Sequence, residues 1–571
     1  AKDPREDSPA PKSLHWPFCP KWIQNLLAGN KDPSDTFRAF QCKLPRGTPP
    51  VVKIDSFTLG ATSEDLQRAL QHVYGESYSM QGVSFAKQKK EWDIRDIRWP
   101  DSQKSIKVFV DDTLPLSCDT KNGKRSHYLY DAQRAAVISS LMSPMTVAIG
   151  PPGSGKTEIV LRIVTLLSKN FCSAPSRFRT LVCTHSDMAL DRIFSDVAWL
   201  TTHSAKKENG RLWHPSFAKV TPDTSLGTIQ STDVVGMTCA TAANMRRFIQ
   251  HEYDILIIDE AGKFSQPESL VLFSFNPSRV IIVGDHLASK ATLAEPMNNG
   301  RKRRQASLLE ALLHRDIRPI FLDQQTRSTE ALLKVFQWRY ARDKTFHGTL
   351  QPFQHKRSIV PVYWRNSIFF PSHERLHDAE PSGAAVFVNI EEDSGIRRQF
   401  TQLGPGNICT ILNHLVVNCC VKCHEISVLV LSQKEQRLLK TRLGKEMHLR
   451  ATAVELVPDF EGKENNFVIL SLNPCSMTES MMLTNSIWVN IMTSRARCNL
   501  VLIGNHTTFL NSEHWRPFIN HFRLVDMASM MKHTVKAKEY AKQATKEENI
   551  RFVKGLVTLQ TIVRRRQQRK K

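Results

Sequence analysis

Residues 146–157 read Thr-Val-Ala-Ile-Gly-Pro-Pro-Gly-Ser-Gly-Lys-Thr, and the next ten residues put Ile159, Val160, Ile163, Val164 and Leu167 on one face of a helix. A short apolar strand, a glycine-rich loop ending in Lys-Thr and an amphipathic helix together form a P-loop in its expected setting. In the loop Gly150, Pro151, Pro152, Gly153, Ser154 and Gly155, the glycines let backbone N–H groups wrap a phosphate chain. Lys156 is spaced to reach the β and γ oxygens, and the Thr157 hydroxyl suits Mg²⁺. A bound nucleotide is the first expectation.

Six more runs rich in Val, Ile and Leu lie at 180–184, 254–259, 279–285, 426–432, 466–472 and 500–504, each closing on or beside a small, polar or acidic residue. Continuous apolar runs separated by helical stretches are the pattern of parallel strands buried on both faces. The body is therefore α/β, and its functional groups should gather beyond the carboxyl ends of the strands. The run 254–259 delivers Asp259 and Glu260 there. Asp259 is placed to hold the Mg²⁺ shell and Glu260 to polarise an attacking water, so hydrolysis is the natural reaction.

Around this body, residues 1–126 read as an N-terminal accessory region without an assignable fold, apart from a helical pattern at 63–74. The polar stretch 201–222 reads as an insertion. Beyond Pro517 there is no further proline, and the Lys, Ala, Glu and Gln content predicts a terminal helix ending in a basic tail. No internal repeat is evident.

The length of 571 residues suits about three or four domains at roughly 150 residues each. Lys and Arg number 78 against 55 Asp and Glu, and the net charge of +23 points to a polyanionic partner, nucleic acid first. Basic clusters stand at 301–304 and 564–571, and the excess extends beyond them. No stretch approaches the ~18 uninterrupted apolar residues that cross a bilayer, and the first 13 residues are polar. The expectation is a soluble nuclear or cytoplasmic protein with no membrane partner. Twelve irregularly spaced cysteines fit reduced thiols. Cys409, His414, Cys419, Cys420, Cys423 and His424 contain one Cys-x-x-Cys pair and no second, which favours thiols packed as small apolar groups over zinc.

Beside the P-loop, seven segments stand in the order of the motifs of the Upf-like branch of superfamily 1 helicases, over about residues 127–510. They are Tyr130-Asp-Ala-Gln-Arg-Ala-Ala-Val137, the segment 181–191, Asp259-Glu-Ala-Gly262, Val283-Gly-Asp-His286, Gln325-Thr-Arg327, Phe460-Glu-Gly-Lys-Glu464 and the segment 490–497. The chain resembles that family. The resemblance implies two tandem RecA-like domains, at 127–317 and 318–515, with 516–571 as a C-terminal helix and basic tail. It implies ATP bound between the halves, Gln133 reading adenine, Arg327 and Arg495 reaching the γ-phosphate, and Glu464 on the ribose. It further implies 5′-to-3′ movement on single-stranded RNA or DNA, with Ser186 and Thr238 among the groups along the strand path. No protein partner is indicated.

The chain departs from the family pattern in places. Leu287-Ala288-Ser289 stands where a glutamine sensing the γ-phosphate is expected, and Thr326 where an aromatic would stack on adenine. Glu461, Leu456 and Pro458 replace the Gln, Thr and Asp of the later motif. Phosphate and metal groups are intact while sensing groups are eroded, so the alternative is a degenerate helicase that clamps nucleic acid under ATP control and unwinds little.

Overall fold

The computed structural model describes the strands between residues 51 and 126 and most of 129–287, 307–341 and 384–526, together with 351–352. The expected helix at 63–74 lies outside the described residues apart from Arg68 and Gln71. So do Ala288, Ser289, Cys419, Cys420, Glu461 and both basic clusters. The chain divides into two compact units, residues 1–326 with 339–353, and 327–338 with 354–571.

In the first unit, β1 (Val51–Asp55), β2 (Glu91–Arg95) and β3 (Ser105–Asp111) form a sheet in the order β1-β3-β2. β4 (Ser117–Thr120) and β5 (Gly123–Ser126) pair as an antiparallel hairpin. The larger sheet contains β6 (Met145–Ile149), β7 (Thr180–Thr184), β8 (Phe217–Lys219), β9 (Val234–Thr238), β10 (Ile255–Ile258), β11 (Arg279–Gly284) and β12 (Ile320–Phe321). Its order is β12-β6-β11-β10-β7-β9-β8 and every pairing is parallel. Every residue of β6, β7, β9, β10 and β11 is buried, which is why four of these five appear in the sequence as unbroken apolar runs. β9 is masked in the sequence because Gly236 and Thr238 dilute its run. β8 lies within the stretch read as an insertion, and its half-buried residues carry a weaker signal. A short parallel pair, β13 (Gln324–Gln325) and β14 (Gln351–Pro352), completes this unit.

The helix Lys156–Phe171 comes directly after the glycine-rich loop and turns Ile159, Val160, Ile163 and Val164 fully inward. Burial of each side chain contributes about 2 kcal/mol, which fixes the first turn of this helix, and so the loop before it, against the sheet.

The second unit holds β15 (Ala385–Asn389), β16 (Ile426–Val430), β17 (Ala453–Leu456), β18 (Asn465–Ser471), β19 (Ala496–Gly504) and β20 (Arg523–Asp526). They form a parallel sheet in the order β17-β16-β18-β19-β15-β20. Taken from its other edge, this order matches the first sheet position for position: β20 with β12, β15 with β6, β19 with β11, β18 with β10, β16 with β7 and β17 with β9. The fold is thus duplicated although no sequence repeat is visible. Both units are RecA-like, parallel sheets flanked by helices.

One expectation is corrected. The sequence predicts a helix and basic tail over 516–571; at its start the helix Arg516–Ile519 stops after one turn and β20 comes next, parallel to β15, while 527–571 lie outside the described residues. The open edge of β15 offers unpaired backbone groups, and the short run Leu524-Val525 satisfies them. No helix among the described residues is long and apolar enough to cross a membrane.

Candidate nucleotide-binding site

The loop after β6 is set by its glycines. Gly153 and Gly155 lie at φ +81° and +79°, a region that side chains rarely enter. A Cβ on Gly155 would stand 2.2 Å from Gln133 Nε2, so the loop backbone lies directly against that amide. Four donors hold the loop from behind. Tyr130 OH and Gln133 Nε2 both donate to Ser154 O, at 2.7 and 3.0 Å. Thr326 donates to Gly153 O twice, through its backbone N–H at 2.8 Å and its hydroxyl at 3.0 Å. The other end of the Gln133 amide accepts from Tyr130 N–H at 3.2 Å. Sequence reasoning misses the tethering by Tyr130 and Thr326, because nothing in a lone Tyr or Thr signals it.

Lys156, first in its helix, donates to Gly150 O at 2.8 Å and Pro151 O at 2.9 Å, which keeps the ammonium at the mouth of the loop. The Thr157 hydroxyl stands 3.4 Å from Asp259 Oδ2. The end of β10 thus meets the start of the 156–171 helix, as the sequence predicts.

Asp259 is 3% exposed, and burial, reinforced by the neighbouring Glu260 carboxylate, pushes its pKa up to about 6 against the opposing pull of Lys156 and Lys263. Glu260 adopts φ 58°, ψ 34°, a left-handed conformation that costs a non-glycine residue about 1 kcal/mol. Its Oε1 pairs with Lys263 Nζ at 3.0 Å, while Oε2 is buried without a hydrogen-bond partner. A hydroxyl and a carboxylate give an oxygen-only donor set that fits a hard cation such as Mg²⁺. The buried Asp259 carboxylate and the unpartnered oxygen of Glu260 mark the place where a cation and a water would be stabilised.

Beside this, β11 ends in Gly284-Asp285-His286. Gly284 O accepts from Gly150 N–H at 3.1 Å, tying the two loops together. Asp285 accepts from Tyr340 OH at 2.9 Å and from Leu287 N–H at 3.0 Å, and Arg339 donates to Leu287 O at 2.9 Å.

In the second unit, Arg327, Glu464 and Arg497 come together. One Glu464 oxygen accepts from Arg327 Nε, the other from Arg497 Nε and Nη2, and Arg327 also donates to Ser494 O at 3.1 Å. The carboxylate expected on a ribose therefore bridges two arginines, and Arg497 joins the cluster although its place in the sequence does not signal it. Arg495 is buried, with its Nε donating to Ile491 O at 3.1 Å.

Ser186 stands just beyond β7 and Thr238 is the last residue of β9, the two strands ending in register at Thr184 and Thr238. Both hydroxyls act as caps. Ser186 accepts from Ala189 N–H, and Thr238 caps the helix Cys239–Met245 through Thr241 N–H at 3.2 Å. Thr238 is 7% exposed, so its hydroxyl serves the fold first. Of the thiols, Cys409 is buried, whereas Cys423 is partly exposed and donates to His448 O at 2.9 Å. Among the described residues no cluster of His, Cys, Asp and Glu is arranged to hold a metal.

Two family models, both described as AAA domain, match residues 133–290 and 304–507. The chain is 25% identical over 471 residues to "Regulator of nonsense transcripts 1" of Dictyostelium discoideum, covering 72% of this chain and 33% of that one. It is 24% identical over 477 residues to "ATP-dependent helicase NAM7" of Saccharomyces cerevisiae, covering 73% and 45%. The chain thus spans between a third and a half of the length of these relatives. Among solved structures it is similar to S. cerevisiae Dbp5 bound to RNA and ADP BeF3, at 12% identity and a TM-score of 0.40, over 71% of this chain and 91% of that one.

Proposed function

Because the chain belongs to the Upf-like branch of the superfamily 1 helicases, we propose that it hydrolyses ATP and uses the cycle to move on single-stranded RNA or DNA, in the nucleus or cytoplasm. The observation that carries this is the meeting of Thr157 with Asp259, 3.4 Å apart, beside a loop held open by two left-handed glycines. In this reading the loop's N–H groups and Lys156 bind the phosphate chain, while Thr157 and Asp259 hold Mg²⁺, which when bound offsets phosphate charge. Glu260, with one oxygen fixed by Lys263 and the other buried without a hydrogen-bond partner, orients the attacking water and accepts its proton. Arg327 and Arg495 are proposed to act on the γ-phosphate, with Glu464 holding Arg327 in place. Ser186, Thr238 and the basic surface are proposed to track the nucleic-acid backbone.

A second reading, a clamp switched by ATP with little unwinding, is favoured by Thr326, whose hydroxyl is committed to Gly153 O where the family places an aromatic. One assay separates the two. Steady-state ATP hydrolysis is measured with and without a single-stranded 30-mer of RNA or DNA, alongside displacement of a labelled strand from a tailed duplex. Stimulation with displacement supports the motor, and stimulation without displacement supports the clamp. The absence of hydrolysis under every condition rejects both.

A further inference from the structure

A carboxylate that fixes an arginine side chain also offsets its charge, so an arginine that acts on phosphate cannot share a carboxylate with nothing else. The second unit meets this with a second arginine. Ser328 Oγ donates to Ala496 O at 2.7 Å and Thr329 N–H to Arg497 O at 2.9 Å, which stitches the backbone after Arg327 to the start of β19. Asn465 is in register with Ala496, and its N–H donates to Arg495 O at 3.3 Å, which brings Glu464 to the same place. Three charged side chains thus leave neighbouring backbones. Arg327 Nε donates to one Glu464 oxygen, and Arg497 donates to the other through Nε at 2.9 Å and through Nη2. The carboxylate is divided between two guanidinium groups, and two cations against one anion leave the cluster with a positive charge. Arg497 is its most exposed member.

We infer that Arg497 is a positioning residue for hydrolysis: by engaging one Glu464 oxygen it keeps the other turned on Arg327 Nε, and it takes up negative charge that would otherwise neutralise Arg327. The inference rests on the nucleotide reading above, in which Arg327 acts on the γ-phosphate, and adds to that reading a residue that works through Glu464. The guanidinium fork suits this task, since two of its N–H groups meet a single oxygen and fix its direction. The role is separable from the fold. The stitching of Ser328 and Thr329 to β19 uses main-chain carbonyls of residues 496 and 497, so it survives loss of the Arg497 side chain.

The test is steady-state ATP hydrolysis by the full chain with Mg²⁺, comparing the parent, Arg497→Ala and Arg497→Lys, each also in a Glu464→Gln background. Arg497→Ala is expected to lower kcat about tenfold or more and to leave KM within about threefold. Arg497→Lys keeps the charge and is expected to return kcat to within about threefold of the parent. In the Glu464→Gln background no carboxylate is left to share, so Arg497→Ala is expected to change kcat less than about twofold. Support of the fold alone would lower activity equally in both backgrounds. An unchanged kcat in Arg497→Ala, a change confined to KM, a lysine variant as slow as the alanine one, or a full loss in the Glu464→Gln background each overturns the inference. Should Glu464→Gln leave no turnover to compare, the alanine and lysine variants decide alone. If Arg497→Ala does not fold, Arg497→Gln takes its place, and a position that tolerates neither is structural, which also overturns the inference. A parent that hydrolyses no ATP rejects the nucleotide reading and this inference with it, whereas the results above, in a parent that does, reject the inference alone.

Discussion

β10 of the first sheet and β18 of the second hold the same place in their strand orders, yet the residues after them differ: Asp259-Glu260 after β10, Leu472-Asn473-Pro474 after β18. The same holds for their neighbours. β6 runs into the glycine-rich loop and β15 into Ile390, while β11 ends in Gly284-Asp285-His286 and β19 in Gly504-Asn505-His506. Where the first sheet has a phosphate loop, the second has a cavity of about 340 Å³ whose lining includes Leu472, Asn473, Pro474, Asn505 and Trp515 and carries no charged side chain. The Arg327–Glu464–Arg497 cluster of the second unit lies at the opposite ends of the strands, with Glu464 just before β18 and Arg497 at the start of β19. One architecture thus carries two chemistries, and the residues beyond the strand ends decide which.

The largest expected effect breaks the comparison directly. Lys156→Ala should lower nucleotide affinity more than tenfold and bring hydrolysis close to background. Asn505→Ala, at the matched edge of the second sheet, should leave nucleotide affinity unchanged and cost only about 1 kcal/mol of stability through the lost cap on the helix His506–Leu510. Calorimetric titration of ATP in Mg²⁺ reads both. An Asn505→Ala variant that binds as poorly as Lys156→Ala would show that the second sheet also serves the nucleotide.

Within the first sheet, Glu260→Gln should keep affinity and slow turnover by about a hundredfold or more, since it removes a proton acceptor and retains the shape. Single-turnover hydrolysis with prebound ATP is the measurement, and a rate within threefold of the parent would remove Glu260 from the chemistry.

A third comparison sets two buried carboxylates side by side. Asp259 has Lys156 and Lys263 nearby, whereas Glu435, beyond β16, accepts from Ser471 Oγ at 2.7 Å and is pushed up to about 7 by burial and by Glu479. Its ordinary value is 4.5, so between pH 4.5 and 7 the folded chain binds more protons than the unfolded one. Stability from this group is therefore fullest below pH 4.5 and is lost as pH rises through 7, by on the order of 3 kcal/mol. Glu435→Gln should match the parent in urea denaturation at pH 5 and exceed it at pH 8. A difference that does not change with pH would place the strain elsewhere.

How much of this is legible in the sequence depends on burial. β6, β7, β10 and β11 are apolar on both faces and announce themselves, as do β16, β18 and β19. At the sheet edges β12 has only two residues and β20 carries Arg523 and Asp526 at its ends, so neither produces a run and the duplicated order stays hidden. At the site, Lys156, Thr157, Asp259 and Glu260 are readable because their chemistry requires those residue types at that spacing. Tyr130 and Thr326 are not, because a hydroxyl donating to a carbonyl leaves no pattern in the chain. Arg497 is hidden for a related reason, since an arginine at a strand start is ordinary until the fold brings Glu464 beside it.

The smallest expected effect sharpens the account of the second unit. Glu464 separates two guanidinium groups, with side-chain exposures of 13% for Arg327, 16% for Glu464 and 45% for Arg497. Glu464→Gln keeps the shape and one acceptor oxygen but leaves two cations facing each other without the charge between them. The half-exposed Arg497 can swing into water, which limits the penalty to about 1 kcal/mol. The residual repulsion acts across solvent and is screened, because the Debye length falls to about 3 Å at 1 M salt. Urea denaturation of parent and variant at 0.05 M and 1 M NaCl should therefore show a stability gap that narrows with salt. A gap above about 3 kcal/mol, unmoved by salt, would mean that the cluster is a fully desolvated structural element and that Arg327 is fixed for folding, with its availability to phosphate to be argued anew.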